Sequence, residues 1–143
     1  MIKKKDEAET YQITLTCKKI PLELITLLNT LQVDKYLIGY IGTEIHRITY
    51  TDIFYIESVD KKIFLYGEHK IFSSKQKLYE LEEALRFNDF LRISKTTIIN
   101  VNKIKKITPI SSGKLQATLI NDEKIIISKQ YRLALKKRLG LSP

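Results

Sequence analysis

Hydrophobic and polar positions alternate along most of this chain, and helix-like spacing interrupts the alternation at three places. Tyr11 to Cys17 alternates, with Thr10, Thr14 and Thr16 as β-branched polar positions, which predicts a strand. Pro21 suits the first turn of a helix, and Leu22, Ile25, Leu28 and Leu31 would share one face of it. The charged residues 1–9 are expected to fray. These pieces make a β–α element complete by about Asp34, read as an N-terminal extension over residues 1–36.

From Tyr36 the texture becomes short strands and tight turns. Tyr36–Ile41 and Glu44–Tyr50 flank Gly42-Thr43, and Ile53–Val59 and Ile63–Tyr66 flank Asp60-Lys61-Lys62, so two hairpins are predicted. Gly67 turns the chain again before His69–Phe72. Ser73 and Gln76 have the spacing of a capping box, followed by Leu78, Leu81 and Leu85 with Ala84 on one helical face. Phe90–Ile93 reads as a short strand. Lys103–Ile110, Leu115–Ile120 and Lys124–Ser128 read as a meander turned at Ser111-Ser112-Gly113 and Asn121-Asp122-Glu123. Ser128 is placed to cap a last helix through Leu139, with Tyr131, Leu135 and Leu139 inward and Gly140 as its stop. The prediction is a mainly β (α+β) protein, with antiparallel sheets and two helices over residues 37–143.

Charge changes this picture because it is lopsided. Residues 92–143 hold 12 Lys and Arg against Asp122 and Glu123, a balance of +10, whereas residues 1–91 balance to −1. A basic end points to a polyanion, nucleic acid before an anionic membrane. The single Cys17 excludes an internal disulfide and falls in an apolar run. His46 and His69 stand apart without ligand spacing, so neither a metal nor a cofactor is expected. No apolar run is long enough to span a membrane, and no signal-peptide pattern opens the chain, which predicts a cytoplasmic protein. Asp52, Glu57 and Asp60 with Lys62 faintly resemble a metal-dependent nuclease site. Glu57 lies mid-strand, however, and no nucleophile or phosphate-loop motif accompanies the group, so no enzyme is expected.

The basic segment carries more. Arg92-Ile93-Ser94-Lys95-Thr96-Thr97 leaves a strand for a turn rich in hydroxyl groups, and Ser128-Lys129-Gln130 joins a strand to a helix start. Such junctions offer backbone N–H groups beside exposed side chains, suited to phosphate. Lysine can donate to guanine and glutamine can pair with adenine, so the same loops could read bases. Lys136, Lys137 and Arg138 on the last helix lack flanking aromatic anchors and read as a solvated or phosphate-contacting face, not a membrane-binding one.

Several of these residues resemble one family. Tyr50-Thr51-Asp52-Ile53-Phe54-Tyr55-Ile56-Glu57 is similar to the opening of a LytTR DNA-binding domain, y-x-D-I-x-Y-I-E. Leu78-Tyr79-Glu80-Leu81-Glu82, Leu85 and Phe90-Leu91-Arg92-Ile93-Ser94-Lys95-Thr96 resemble its L-x-E-L-E, L and F-x-R-x-H-R-S. Ile98-Ile99-Asn100-Val101 with Ile104 resembles I-V-N-x-x-x-I, and Ser128-Lys129-Gln130-Tyr131 stands where the family has S-R-x-Y. The likeness runs in order from about Leu37 to Leu141.

The resemblance implies a mostly antiparallel fold that presents loops to successive major grooves, in bacterial transcription regulators that commonly bind paired direct repeats. Carried over residue by residue, base-reading loops fall at Lys61-Lys62, Lys95 and Lys129-Gln130. Arg92, Ser94, Thr96 and Ser128 would support them or touch phosphate, and Lys75 and Lys77 would contact phosphate. Asp52, Glu57 and Asn100 are implied to be structural, at a turn, a polar edge position and a capped loop. Lys95 and Lys129 stand where the family often has arginine, keeping the charge but not the rigid fork, so the target should differ and base discrimination be weaker.

Residues 1–36 are too short for a receiver domain, and phosphorylation control in cis is not expected. They could pack as a lid, form a homodimer on DNA or receive a regulatory protein partner. The expected function is a sequence-specific double-stranded DNA-binding transcription regulator. The alternatives are an RNA-binding module using the same basic face, disfavoured by basic loops without Phe or Tyr, and a protein-interaction modulator of another regulator.

Overall fold

Two-residue turns and short polar links fold most of this chain into antiparallel ladders. The structure, a computed structural model, describes residues 2–5, 10–13, 21–32 and 35–141. The chain divides into two compact units, residues 1–35 and 36–143.

In the first unit, β1 (Ile2–Lys5) pairs antiparallel with β2 (Thr10–Ile13), from Ile2 against Ile13 to Lys5 against Thr10. The charged start therefore does not fray as expected. Backbone groups make the ladder, and the charge of Lys3, Lys4 and Lys5 does not prevent their backbone from pairing. The remainder of the predicted strand, Thr14–Cys17, lies outside the described residues. Helix α1 (Leu22–Gln32) starts where Pro21 supplies a carbonyl to the N–H groups of Leu24 and Ile25, both at 3.1 Å. Leu22, Ile25 and Leu27 on it are exposed.

The second unit is built on a seven-stranded antiparallel sheet. Its strands are β3 (Tyr36–Ile41), β4 (Glu44–Thr49), β5 (Tyr55–Val59), β6 (Lys62–Tyr66), β7 (Ile71–Ser74), β8 (Phe90–Arg92) and β9 (Thr97–Asn100), in the order β4-β3-β7-β6-β5-β9-β8. A meander of β10 (Ile104–Pro109), β11 (Leu115–Leu119) and β12 (Lys124–Ile127) forms a second sheet. Helix α2 (Leu78–Ala84) follows β7, and α3 (Arg132–Arg138) closes the unit.

The large sheet is the middle layer. Ile56, Leu65 and Ile98 pack with Leu78, Leu81 and Leu85 around α2. Tyr55 and Ile99 pack on the other face with Leu115, Ala117, Leu119, Ile127 and Leu135 of the meander and α3. Strand β9, which the alternation did not predict, lies between β5 and β8 with all four residues buried. A strand covered on both faces has no polar side to alternate with.

Asn100 ends that strand as a polar pin. Its buried amide donates to the Ile53 carbonyl at 2.8 Å, while its Oδ1 accepts from the Asn102 N–H at 3.1 Å. Asp52 accepts from the Thr49 hydroxyl at 2.8 Å in the turn before β5. Glu57, expected at a sheet edge, instead lies inside the sheet, on β5 between β6 and β9, and accepts from the Tyr66 hydroxyl at 3.4 Å.

Two helix starts differ from expectation. Ser73 belongs to β7, opposite Phe64 and Tyr40, because strands on both sides take its backbone into the ladder. Lys77 is the N-cap of α2, with its N–H donating to Glu80 Oε1 at 2.9 Å. Ser128 gives the last helix no side-chain cap, since one 3₁₀ turn (Lys129–Tyr131) precedes α3. Leu135 is fully buried, but Leu139 is 38% exposed. The helix ends at Arg138, and Gly140 at φ 76° turns the chain, so Leu139 leaves the packed face. The N–H groups of Gly140 and Leu141 return to the carbonyls of Lys137 and Lys136, a Schellman ending.

Candidate nucleic-acid interface

The β5–β6 hairpin turns through only Asp60 and Lys61, at φ 51° and 65°, with Val59 opposite Lys62. Two left-handed residues in succession match the twist of the strands, and lysine at the second carries a strain that glycine would relieve. Lys61 is thereby held at the tip. Lys62, expected in the turn, is the first residue of β6.

The loop between β8 and β9 is held from within. The Arg92 guanidinium donates to the Ser94 carbonyl at 2.7 Å and to the Lys95 carbonyl at 2.5 Å, and its other arm donates to Glu82 of α2 at 2.8 Å. The Ser94 hydroxyl accepts from the Thr96 N–H at 3.1 Å, and the Ile93 N–H donates to the Thr97 carbonyl. Lys95 is left exposed at the bend.

Gly113 shapes the third loop. Its φ of 74° suits glycine, and a Cβ there would lie 3.1 Å from Cδ of Lys129. The Lys129 stem thus rests on the β10–β11 turn, and Arg132 donates to the Gly113 carbonyl at 3.3 Å.

Hydrogen bonds join these loops into one strip. The Ser58 N–H, next to the hairpin tip, donates to the Thr96 carbonyl at 2.8 Å, and the Ser128 N–H donates to the Ile93 carbonyl at 2.9 Å. On the other side of the tip, a groove of about 570 Å³ runs between Lys61, Lys62 and the β7–α2 link bearing Lys75 and Lys77. Lys75 Nζ lies 4.5 Å above the Tyr40 ring. The sequence-predicted residues therefore lie along one end of the sheet, in the order Lys75 and Lys77, Lys61 and Lys62, Ser94 to Thr96, then Ser128 to Gln130. None of Lys61, Lys62, Lys75, Lys77, Lys95 and Lys129 is in an ion pair among the described residues.

The structure separates roles that the sequence left together. Arg92 is turned inward, with its side chain 19% exposed and its donors engaged by protein. Ser94 uses its hydroxyl within the loop, and Lys95, Lys129 and Gln130 face solvent. Glu82, Gly113 and Tyr40 escaped the sequence reading as parts of this strip. Glu82 did carry a signal, as a charged position in the helix that packs beside β8.

Among the described residues, no cluster of His, Cys, Asp and Glu could hold a metal ion, and no helix is long and apolar enough to cross a membrane. Helices α2 and α3 are separated in the chain by five strands and do not form a helix–turn–helix unit.

The family model for the LytTr DNA-binding domain matches residues 43–140. Uncharacterized HTH-type transcriptional regulators of Staphylococcus aureus, from strain NCTC 8325 and strain COL, are each 31% identical over 118 residues, covering 82% of this chain and 80% of theirs. Among solved structures, the LytTr DNA-binding domain of a Bacillus cereus protein described as a methyl-accepting/DNA response regulator superposes with a TM-score of 0.71. It is 26% identical, and the match covers 76% of this chain and 100% of that one.

Proposed function

This chain belongs to the LytTR DNA-binding domain family, a family of DNA-binding domains and not of enzymes, and on that premise we propose that it reads double-stranded DNA sequence-specifically through loops laid in successive major grooves. The observation that carries the reading is the joining of three loops, distant in sequence, into one strip by the Ser58–Thr96 and Ser128–Ile93 hydrogen bonds. Strand-to-strand bonds hold lysines in fixed relation along one edge, as reading several base steps requires. Lys61, Lys95 and Lys129-Gln130 are the base-reading positions. Lys62, Lys75, Lys77 and Thr96 are the phosphate contacts, while Arg92, Ser94 and Ser128 hold the loops.

The expected target is a pair of direct repeats with one copy of the chain on each. Residues 1–36 supply a surface for a second copy or a regulatory protein, a role supported by the exposed Leu22, Ile25 and Leu27 of α1. Selection of genomic fragments by the purified chain, followed by footprinting at two salt concentrations, tests the reading. Protected repeats spaced by one or two helical turns support it. Enrichment without a shared motif, vanishing as salt rises, would show charge-driven binding with no sequence reading.

A further inference from the structure

The outer face of the meander carries charge that the strip does not use. Leu115, Ala117 and Leu119 of β11 pack toward the large sheet, so Gln116 and Thr118 belong to the opposite face. The ladder sets Thr118, itself buried, between Lys106 of β10 and Lys124 of β12, and Gln116 between Thr108 and Ile126. Lys114 continues that face at the β10–β11 turn, where its carbonyl accepts from the Ile110 N–H at 3.0 Å. Lys106, Lys114 and Lys124 are exposed, and none is in an ion pair among the described residues.

No carboxylate stands in these rows. At the β11–β12 turn, Lys105 donates to Asp122 at 2.6 Å. Lys105 first, then Lys106 and Lys124, hold the Asp122 carboxyl below its usual range. Glu123 is turned to the inner face, where it accepts from Tyr55. Lys105, Lys106, Lys114 and Lys124 thus face one carboxylate.

This face is continuous with the strip. Lys114 follows Gly113, the residue against which Lys129 rests. The row of Lys106 and Lys124 lies four residues farther along β11, roughly 13 Å away at about 3.3 Å per residue. The other end of the strip differs. Lys75 and Lys77 lead into α2, whose sequence holds Glu80, Glu82 and Glu83 and no cation. Arg86 and Arg92 engage two of these carboxylates, which leaves no excess of positive charge there. The strip runs from the α2 layer to the meander layer, so a duplex along it leaves the protein past a basic face at one end only. A phosphate backbone is drawn to that face and not to α2.

We propose that DNA flanking the recognised site bends onto the meander, with Lys114 at the edge of the strip and Lys106 and Lys124 beyond it as phosphate contacts, while the opposite flank stays free. This rests on the DNA reading proposed above and adds a one-sided contact to it.

Binding isotherms at several salt concentrations test it. The probes are a duplex from the genomic selection cut to its footprint, and the same duplex lengthened by about ten base pairs, one helical turn, at either end. Lengthening one end should tighten binding several-fold and steepen the salt slope by about two, at about 0.9 per phosphate contact. Lengthening the other should change neither. The double variant Lys106→Gln with Lys124→Gln should match the native chain on the short duplex and gain nothing from either flank. The proposal is overturned if neither flank strengthens binding, if both do so equally, or if the double variant keeps the gain. A mixed-sequence duplex of the short length separates the two readings. A native chain that prefers the footprint duplex but ignores both flanks reads DNA without this contact. A chain that binds the two short duplexes equally reads no site, and both proposals fall.

Discussion

Arg92 donates to the backbone carbonyl of Lys95, so the residue turned into the protein sets the position of the residue at the exposed bend. The same guanidinium takes the Ser94 carbonyl and reaches Glu82 on α2, tying the loop to the helix layer. A planar fork meets several acceptors at fixed angles, which a lysine ammonium cannot reproduce. The arginine of this motif is spent on loop geometry, and Lys95 is left exposed at the bend, where DNA contact is proposed.

Arg92 and Lys95 variants should therefore fail differently. Lys95→Ala is expected to leave stability unchanged, to cost about 1–3 kcal/mol on the cognate site and to relax specificity at one position. Arg92→Ala should lower stability by about 1–2 kcal/mol, since it strips the donor from the part-buried Ser94 carbonyl and unties the loop from Glu82. It should also weaken DNA binding without changing the slope of affinity against salt, because no phosphate contact is removed. Denaturant melts and binding isotherms at several salt concentrations check both. A reduced salt slope in Arg92→Ala would make Arg92 a phosphate contact.

Strands such as Tyr36–Ile41 and Lys62–Tyr66 were legible because buried residues alternate with more exposed ones along them, between turn residues. Strand β9 was not, since Ile98 and Ile99 face two different cores and leave no polar beat. The basic loops were visible by charge and by family motif. What sequence spacing could not show is which donors the protein consumes itself. Arg92 and Lys95 are both cations three residues apart, and only the carbonyls around Arg92 distinguish them. Helix starts were misplaced for a similar reason. Ser73 has a capping residue's chemistry, but pairing with β6 and β3 places it in the sheet.

The Lys61 tip separates stability from function. At φ 65° a lysine is strained where glycine is not. Lys61→Gly is expected to hold or raise stability, by up to about 1 kcal/mol, while weakening cognate DNA binding at least as much as Lys95→Ala does. Thermal melts alongside gel shifts check this. A variant of unchanged affinity would remove Lys61 from the interface.

Gly113 is expected to be intolerant of even one methyl group. Gly113→Ala forces a left-handed alanine and presses a Cβ onto the Lys129 stem. A stability loss of about 1–2 kcal/mol is expected, with weaker DNA binding because the Lys129 ammonium must shift. The companion variant Lys129→Ala relieves the crowding but not the φ strain. The double variant should recover some of the stability and none of the affinity, which urea melts and binding isotherms can show.

The last prediction concerns pH and rests on Tyr55 and Tyr66, whose rings stack at 4.2 Å with planes 10° apart. Tyr55 donates to Glu123 at 2.8 Å, binding the large sheet to the β11–β12 turn. Burial, then the hydrogen bond to Glu123 and the charges of Glu123, Tyr66 and Glu57, push the Tyr55 phenol well above its usual range. Burial and Glu57 push Tyr66 the same way. The folded chain thus holds these protons more tightly than the unfolded chain does. Their contribution is complete below the ordinary tyrosine value of about 10 and is lost as pH rises beyond it. Near pH 8, Tyr55→Phe should be less stable by about 1 kcal/mol, through the lost hydrogen bond. Between about pH 9 and 11 the gap should close, because only the tyrosine chain is drawn toward unfolding by phenol ionisation, while lysine titration is common to both. Urea melts of the two proteins across that range measure the difference directly. A gap that stays constant to pH 11 would show that the Tyr55 proton is held no more tightly in the folded chain than in the unfolded one.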